Sequence, residues 1–173
     1  GAGIIQISAD LKSTRMVDTP EEMRDTNLHN ATIWHAPDGK SHLMFPGNEA
    51  NKVFVTGLDG KLDTVLKTPD AGVDLGNPVP NDYFKSKGPF VPTDVEQLDG
   101  KLYITTGYSK LDYVLTARIL KTSPLELAWN NLSFGGKGKG PGQFDTGHGI
   151  TVPPKLKRLD IADASCDAAC ELS

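Results

Sequence analysis

The chain has 173 residues, a formal net charge of −4 and 38% hydrophobic residues, which is ordinary for one globular domain with its own core. The weakly acidic charge argues against a nucleic-acid partner, because such surfaces are usually basic. No apolar run approaches the roughly 20 residues that cross a bilayer. We therefore expect a soluble protein with no membrane partner. A secreted or periplasmic location stays open, since a leader segment is removed from mature exported proteins.

The first third of the sequence alternates short β-like runs with turn signals. Ile4–Ser8 and Ser13–Val17 are predicted as two strands, and Thr19–Arg24 begins like a helix, with a threonine cap followed by proline. Four more strands follow, separated by turns such as Pro37-Asp38-Gly39 and Leu58-Asp59-Gly60-Lys61. These four strands are Ala31–Trp34, Ser41–Phe45, Lys52–Thr56 and Leu62–Leu66.

The middle of the chain is interrupted by a polar segment and then returns to the same pattern. Thr68–Pro89 is rich in Pro, Gly, Asp and Asn and is predicted as a long loop, a type of segment that often carries function. Asp99-Gly100 is a strong hairpin signal between two of the strands that follow. The predicted strands are Asp94–Gln97, Lys101–Thr106, Tyr113–Leu120, Leu125–Asn130, His148–Val152 and Arg158–Asp163.

The C-terminal segment carries both cysteines. Asp163–Leu172 is rich in alanine, and Cys166 and Cys170 are spaced to share one face of a short helix. Two free thiols in such a helix are expected. A local disulfide and a zinc pair are the alternatives, and the zinc pair lacks partner ligands.

A strand–turn–strand unit recurs three times along the chain. The units begin around His29, Thr93 and His148, a spacing longer than the about 40–50 residues of one propeller blade, and the loops absorb the excess. Radial repetition of this kind predicts an all-β fold made of four-stranded blades, a β-propeller. The expected division is 1–25 half blade, 26–68 blade, 69–89 loop, 90–135 blade, 136–164 half blade and 165–173 C-terminal tail.

Seven short stretches carry a family resemblance. They are Phe90–Val95, Gly100–Ile104, Gly107–Tyr108, Phe134–Gly136, Gly140–Phe144, His148–Ile150 and Ala162–Asp163. Together they resemble NHL-repeat propellers, and within these the chain is most similar to the propeller of peptidyl-hydroxyglycine amidating lyases. The resemblance covers the chain from the residues just before His29 to Asp163 and implies about three blades, half of a six-bladed propeller.

The resemblance implies a metal-dependent lyase site. Members of that family bind zinc through three histidines at the inner starts of alternate blades, so His29 and His148 are the implied ligands and Tyr108 the implied catalytic tyrosine. The products would be a peptide amide and glyoxylate. The chain departs from the pattern in several respects. The third histidine would lie beyond its C-terminal end, Ala164 replaces an arginine that binds the substrate carboxylate, the other family arginine would precede Gly1, and the repeat ends after Asp163.

Other residues have expectations of their own. Thr93 and Asp94 are expected to face the central channel, where Asp94 would accept hydrogen bonds from backbone amides or bind a cation such as calcium. His35 and His42 lie on a hairpin and are expected at the surface. A buried histidine and a packed tyrosine remain the alternatives to metal and catalytic roles at the implied site.

The repeats also predict a partner. About three blades in an arc leave two unpaired sheet edges, which proteins must cover or pair. We expect a homodimer in which Ile4–Val17 of one protomer and His148–Asp163 of the other complete each other and close a six-bladed propeller. The alternative to a lyase is a non-catalytic propeller half that binds a small molecule, a peptide or a protein.

Overall fold

A computed structural model describes residues 3–153, 155–164 and, for the backbone alone, 170–171. This part of the chain contains thirteen strands and two short helices. The strands form four antiparallel sheets, each with neighbours paired in chain order. The predicted all-β class is therefore confirmed.

The first sheet is a small hairpin that leaves its strands open to solvent. β1 (Ile5–Ile7) pairs with β2 (Thr14–Met16), and every residue of both strands is exposed. The helix α1 (Glu21–Arg24) lies within the predicted segment, but its N-cap is Pro20 and not Thr19, and no side chain caps it. It buries Met23 against phenylalanines of the next sheet. This short helix fastens the hairpin segment to the rest of the protein.

Two four-stranded sheets form the centre of the molecule. The second sheet consists of β3 (Thr32–His35), β4 (Ser41–Gly47), β5 (Lys52–Gly57) and β6 (Leu62–Lys67). The third sheet consists of β7 (Asp94–Leu98), β8 (Lys101–Thr105), β9 (Tyr113–Thr122) and β10 (Leu125–Gly135). Asp99 and Gly100 connect β7 to β8 with φ angles of 48° and 77°, the left-handed backbone that a two-residue hairpin turn requires.

The third sheet is buried on both faces. Successive side chains of a strand point to opposite faces, so Val114 of β9 joins one apolar cluster while Tyr113 and Leu115 join another. The larger cluster fills the space between the second and third sheets, and the smaller one lies between the third and fourth sheets, where Phe144 and Ile150 are buried. The second, third and fourth sheets thus stack face to face in chain order.

The fourth sheet has one strand more than the sequence predicted. It consists of β11 (Gly147–Thr151), β12 (Asp160–Asp163) and β13 (Cys170–Glu171). A helix over Asp163–Leu172 is therefore wrong at the described positions. Pairing with the edge of β12 satisfies backbone groups of Cys170 and Glu171. Cys166 lies outside the described residues.

The long loop predicted at 69–89 contains a helix, α2 (Pro78–Lys85). Asn77 caps it by accepting a hydrogen bond from the Val79 amide at 2.9 Å, and Pro78 occupies the first helical position. Both are helix-start signals that the surrounding prolines and glycines outweighed in the prediction. The helix is held in place because it buries Phe84.

His42 is buried, which corrects its predicted surface position, whereas His35 is exposed. The His42 ring stacks on Trp34 at 5.0 Å between centroids, and its Nδ1 donates to Asp63 at 2.8 Å. An aromatic surface on one side and a carboxylate on the other make burial of the ring favourable. Its Nε2 has no hydrogen-bond partner.

Candidate functional site

Two buried carboxylates fasten the fourth sheet to the third. Asp112, in the turn before β9, accepts hydrogen bonds from the Thr146 and Gly147 amides at 2.7 and 2.9 Å. Asp94 of β7 accepts from the Ile150 amide at 2.9 Å. Burial raises the pKa of both carboxyl groups, although these amide bonds act in the opposite direction. Together they fix the backbone on both sides of His148.

Two threonine hydroxyls complete this attachment from the opposite direction. Thr93 donates through Oγ1 to the Gly147 carbonyl at 3.1 Å, and Thr105 donates to the His148 carbonyl at 3.2 Å. Both threonines are buried, so these bonds form away from competing water. The main chain at His148 is held on its amide side and its carbonyl side, which defines the direction of the imidazole.

Thr93 also positions the second histidine. The Thr93 carbonyl lies 3.0 Å from Nδ1 of His29. Because a carbonyl only accepts, Nδ1 carries the proton, and Nε2 of neutral His29 presents a lone pair. The His29 backbone is anchored in turn by its amide, which donates to the Pro46 carbonyl at 2.9 Å.

Tyr108 reaches the histidines from the turn between β8 and β9. The preceding residue, Gly107, packs directly on the backbone of β11: a Cβ there would lie 2.3 Å from the Gly147 carbonyl oxygen. Only glycine lets the turn approach so closely. Tyr108 is 51% exposed, so its ring borders solvent while its hydroxyl points at the imidazoles.

The three side chains meet at one point. The Tyr108 hydroxyl lies 3.2 Å from Nε2 of His29 and 2.7 Å from Nε2 of His148. The two imidazole centroids are 4.6 Å apart with their planes inclined at 65°. One proton arrangement satisfies all three neutral groups: His148 donates from Nε2 to the phenol oxygen, and the phenol donates to His29. We call this group the His–Tyr cluster.

Only one edge of the His–Tyr cluster has the spacing of metal ligands. Ligands of a tetrahedral zinc with bonds of about 2.0–2.1 Å lie about 3.3 Å from one another, close to the 3.2 Å between His29 Nε2 and the phenol oxygen, whereas the 2.7 Å between His148 Nε2 and the phenol oxygen is a hydrogen-bond distance. The Thr93 carbonyl supplies the outer hydrogen bond that metal-binding histidines usually make. In the described residues, no group of three or more His, Cys, Asp and Glu side chains is arranged for a metal. The donor atoms at the cluster are therefore limited to two imidazole nitrogens and one phenol oxygen.

Asp94 and Thr93 differ in their surroundings. Asp94 lines a cavity of about 620 Å³ that it shares with Thr32 of β3, Glu96 of β7 and Ile150 of β11. Its carboxylate accepts from the Val95 and Ile150 amides, which is one of the two roles expected for it. The Thr93 side chain is instead enclosed between the sheets.

Asp112 and Thr105 support the site and were not identified from the sequence. Asp112 has a φ of 50°, a conformation in which Asp is more common than most residues, and this turn position is the only local signal. Their importance comes from the docking of one sheet on another, which a linear pattern does not reveal.

No protein-family model matches the sequence, and a search of curated proteins finds no similar protein. Within the described ranges, none of the helices is both long and apolar enough to span a membrane. The His–Tyr cluster and the residues that support it are therefore the features of this protein that point to a function.

Proposed function

We propose that the chain is a portion of an NHL-type β-propeller, with about three blades, whose His–Tyr cluster is a metal-dependent lyase centre. The convergence of two imidazole nitrogens and one phenol oxygen supports this function. The propeller arrangement is supported by the shared cavity, which takes residues from the first strand of each of three successive sheets, β3, β7 and β11. Blades arranged around an axis bring their first strands together in this way.

The residues of the cluster have separate tasks in this proposal. His29 and His148 would hold the metal, zinc in the first instance, which would polarise a substrate oxygen. Tyr108, as the phenolate left once its own proton has passed to solvent, would accept the hydroxyl proton of a peptidyl-α-hydroxyglycine and return it to the amide nitrogen. The carbon–nitrogen bond breaks, the hydroxyl carbon becomes the aldehyde of glyoxylate, and the peptide leaves as an amide. No oxidant is consumed.

Metal binding is the first test of this function. We expect zinc-free protein to bind one Co²⁺ ion per chain with visible absorption, and Zn²⁺ to displace it. Joint substitution His29→Ala and His148→Ala should abolish binding, while His35→Ala, at an exposed histidine bonded to Ser41, should bind as the unmodified protein does. Absence of binding, or equal binding by the double variant, would overturn the proposal. Circular dichroism verifies that each variant is folded.

A non-catalytic, self-completing propeller half is the second candidate, favoured by the apolar face of the first sheet. Ile5, Ile7 and Met16 are 55%, 57% and 56% exposed, and Ile5 faces Met16 across the hairpin. Such a contiguous apolar face on a sheet of only two strands suits protein association. In the proposed homodimer this hairpin packs against the β12–β13 edge of the partner. A monomeric mass at micromolar concentration by light scattering would contradict it.

A further inference from the structure

Two adjoining cavities lie beside the His–Tyr cluster and the helix α2. A cavity of about 680 Å³ has Tyr108, Val91 and Pro89 among its lining residues, and a second of about 350 Å³ reaches Gly136 and Lys137. Val79, Tyr83 and Lys110 line both cavities, and we call the pair the trench. Their sizes fall in the usual range of ligand pockets, about 300–1,000 Å³.

The walls of this trench are fixed by their own contacts. The Tyr83 hydroxyl donates to the Pro89 carbonyl at 3.0 Å, and a Cβ at Gly88 would lie 2.4 Å from the Tyr83 ring. The segment before α2 is held by Ser133, which donates to the Leu75 carbonyl at 2.8 Å. The trench is therefore preformed and does not require a helix to move when a ligand enters.

The trench changes character along its length. Val79 is 53% exposed and, with Tyr83, forms an apolar surface in the middle. The part nearest Tyr108 contains Asp82 as well as Lys110, whereas the far part contains Lys110 and Lys137. Lys110 makes no hydrogen bond or ion pair within the described part of the chain, and Lys137 lies 3.4 Å from Asp145. The far end is thus cationic.

We propose that the trench selects the residues that precede the reacting C-terminal residue of a peptide. This rests on the proposed function, because the His–Tyr cluster receives that terminal residue. An apolar side chain packs against Val79 and Tyr83, and an acidic side chain before it lies near Lys110 and Lys137. Tyr108 connects the two functions, since its hydroxyl belongs to the cluster and its side chain lines the trench.

The test measures selectivity with three unreactive peptides that end in glycine. They are N-acetyl-Glu-Phe-Gly, N-acetyl-Glu-Ser-Gly and N-acetyl-Lys-Phe-Gly, titrated calorimetrically at low ionic strength. We expect replacement of Phe by Ser to weaken binding about tenfold, as loss of a buried aromatic side chain does. Replacement of Glu by Lys should weaken it about threefold, as for an exposed ion pair.

Two variants assign these preferences to the trench. Val79→Asp should reduce the Phe preference below about twofold; Val79 is the second residue of α2, where an aspartate is favourable to the helix. Lys110→Gln should remove the Glu preference. Leu58→Asp, at an apolar residue 49% exposed outside the trench, is the control and should retain both.

The outcomes separate this inference from the proposed function. Three results would overturn the proposed selectivity of the trench: equal binding of all three peptides, no measurable binding of any of them, or an unchanged Phe preference in Val79→Asp. If zinc binding and glyoxylate release are intact, the proposed function survives that result. The converse result is that the unmodified protein binds no zinc but shows both peptide preferences, and that the variants lose them. That result would refute the lyase centre and support the trench as a peptide-binding site.

Discussion

Replacing Gly107 by alanine tests whether the cluster depends on close packing between the third and fourth sheets. The added Cβ would lie 2.3 Å from the Gly147 carbonyl oxygen and 2.8 Å from the Gly147 nitrogen. The obstacle is backbone held by Asp112 and Thr93, so the turn that carries Tyr108 must withdraw by about 1 Å to restore ordinary contact distances. Crowding of this kind costs about 1–3 kcal/mol.

The same displacement should weaken the cluster. The distance between the Tyr108 hydroxyl and Nε2 of His148 is 2.7 Å, and this displacement would lengthen it beyond the range of a hydrogen bond. Urea unfolding followed by tryptophan fluorescence measures stability, and Co²⁺ absorption measures the site. Gly72→Ala is the matched control, because a Cβ there has nothing within 4 Å; it should change stability by less than about 0.5 kcal/mol. If Gly107→Ala proves as stable as Gly72→Ala, with unchanged Co²⁺ binding, the packing argument is refuted.

Three further predictions follow from the site and the exposed hairpin. Tyr108→Phe should lower glyoxylate release from a peptidyl-α-hydroxyglycine about 100-fold with zinc still bound; activity within about twofold would exclude the tyrosine as the proton carrier. Because burial raises the pKa of Asp112, the Asp112 carboxyl group holds its proton more tightly in the folded protein than in the unfolded chain. Asp112 therefore makes the free energy of unfolding fall as pH rises from about 4, and urea titrations of Asp112→Asn should lack that contribution; an identical pH slope would contradict it. Light scattering of the unmodified protein should give the mass of the proposed dimer, twice 18.6 kDa, and Ile7→Asp should give that of a monomer; an equal mass for the two proteins would show that the hairpin is not an interface.

Strand positions were predictable because their signals are local. Asp99-Gly100 specifies its own turn, and alternating side chains identify the strands on either side. The helix α2 was missed because its cap, Asn77-Pro78, lies among residues that also favour loops. Burial of His42 depends on Trp34 of β3 and Asp63 of β6, and no pattern along β4 contains that information.

The site was partly predictable for a similar reason. His29, Tyr108 and His148 stood out through the repeat and the resemblance, and the structure brings them together. Their supports did not stand out, because Thr105 and Asp112 act only after the fourth sheet has docked on the third. A repeat reveals equivalent positions along the chain, whereas the hydrogen bonds between unlike positions of adjacent sheets arise from packing.

Thr93 explains how two histidines so distant in sequence are held together. Its carbonyl accepts from His29, and its hydroxyl donates to the Gly147 carbonyl immediately before His148. The Thr93 hydroxyl also lies 2.9 Å from the Thr105 hydroxyl, which accepts from it and itself donates to the His148 carbonyl at 3.2 Å. One buried residue that precedes the third sheet, Thr93, thus helps to position both imidazoles. Since neither histidine belongs to that sheet, the cluster is assembled only when three sheets are packed together, which couples the chemistry of the site to the stability of the fold.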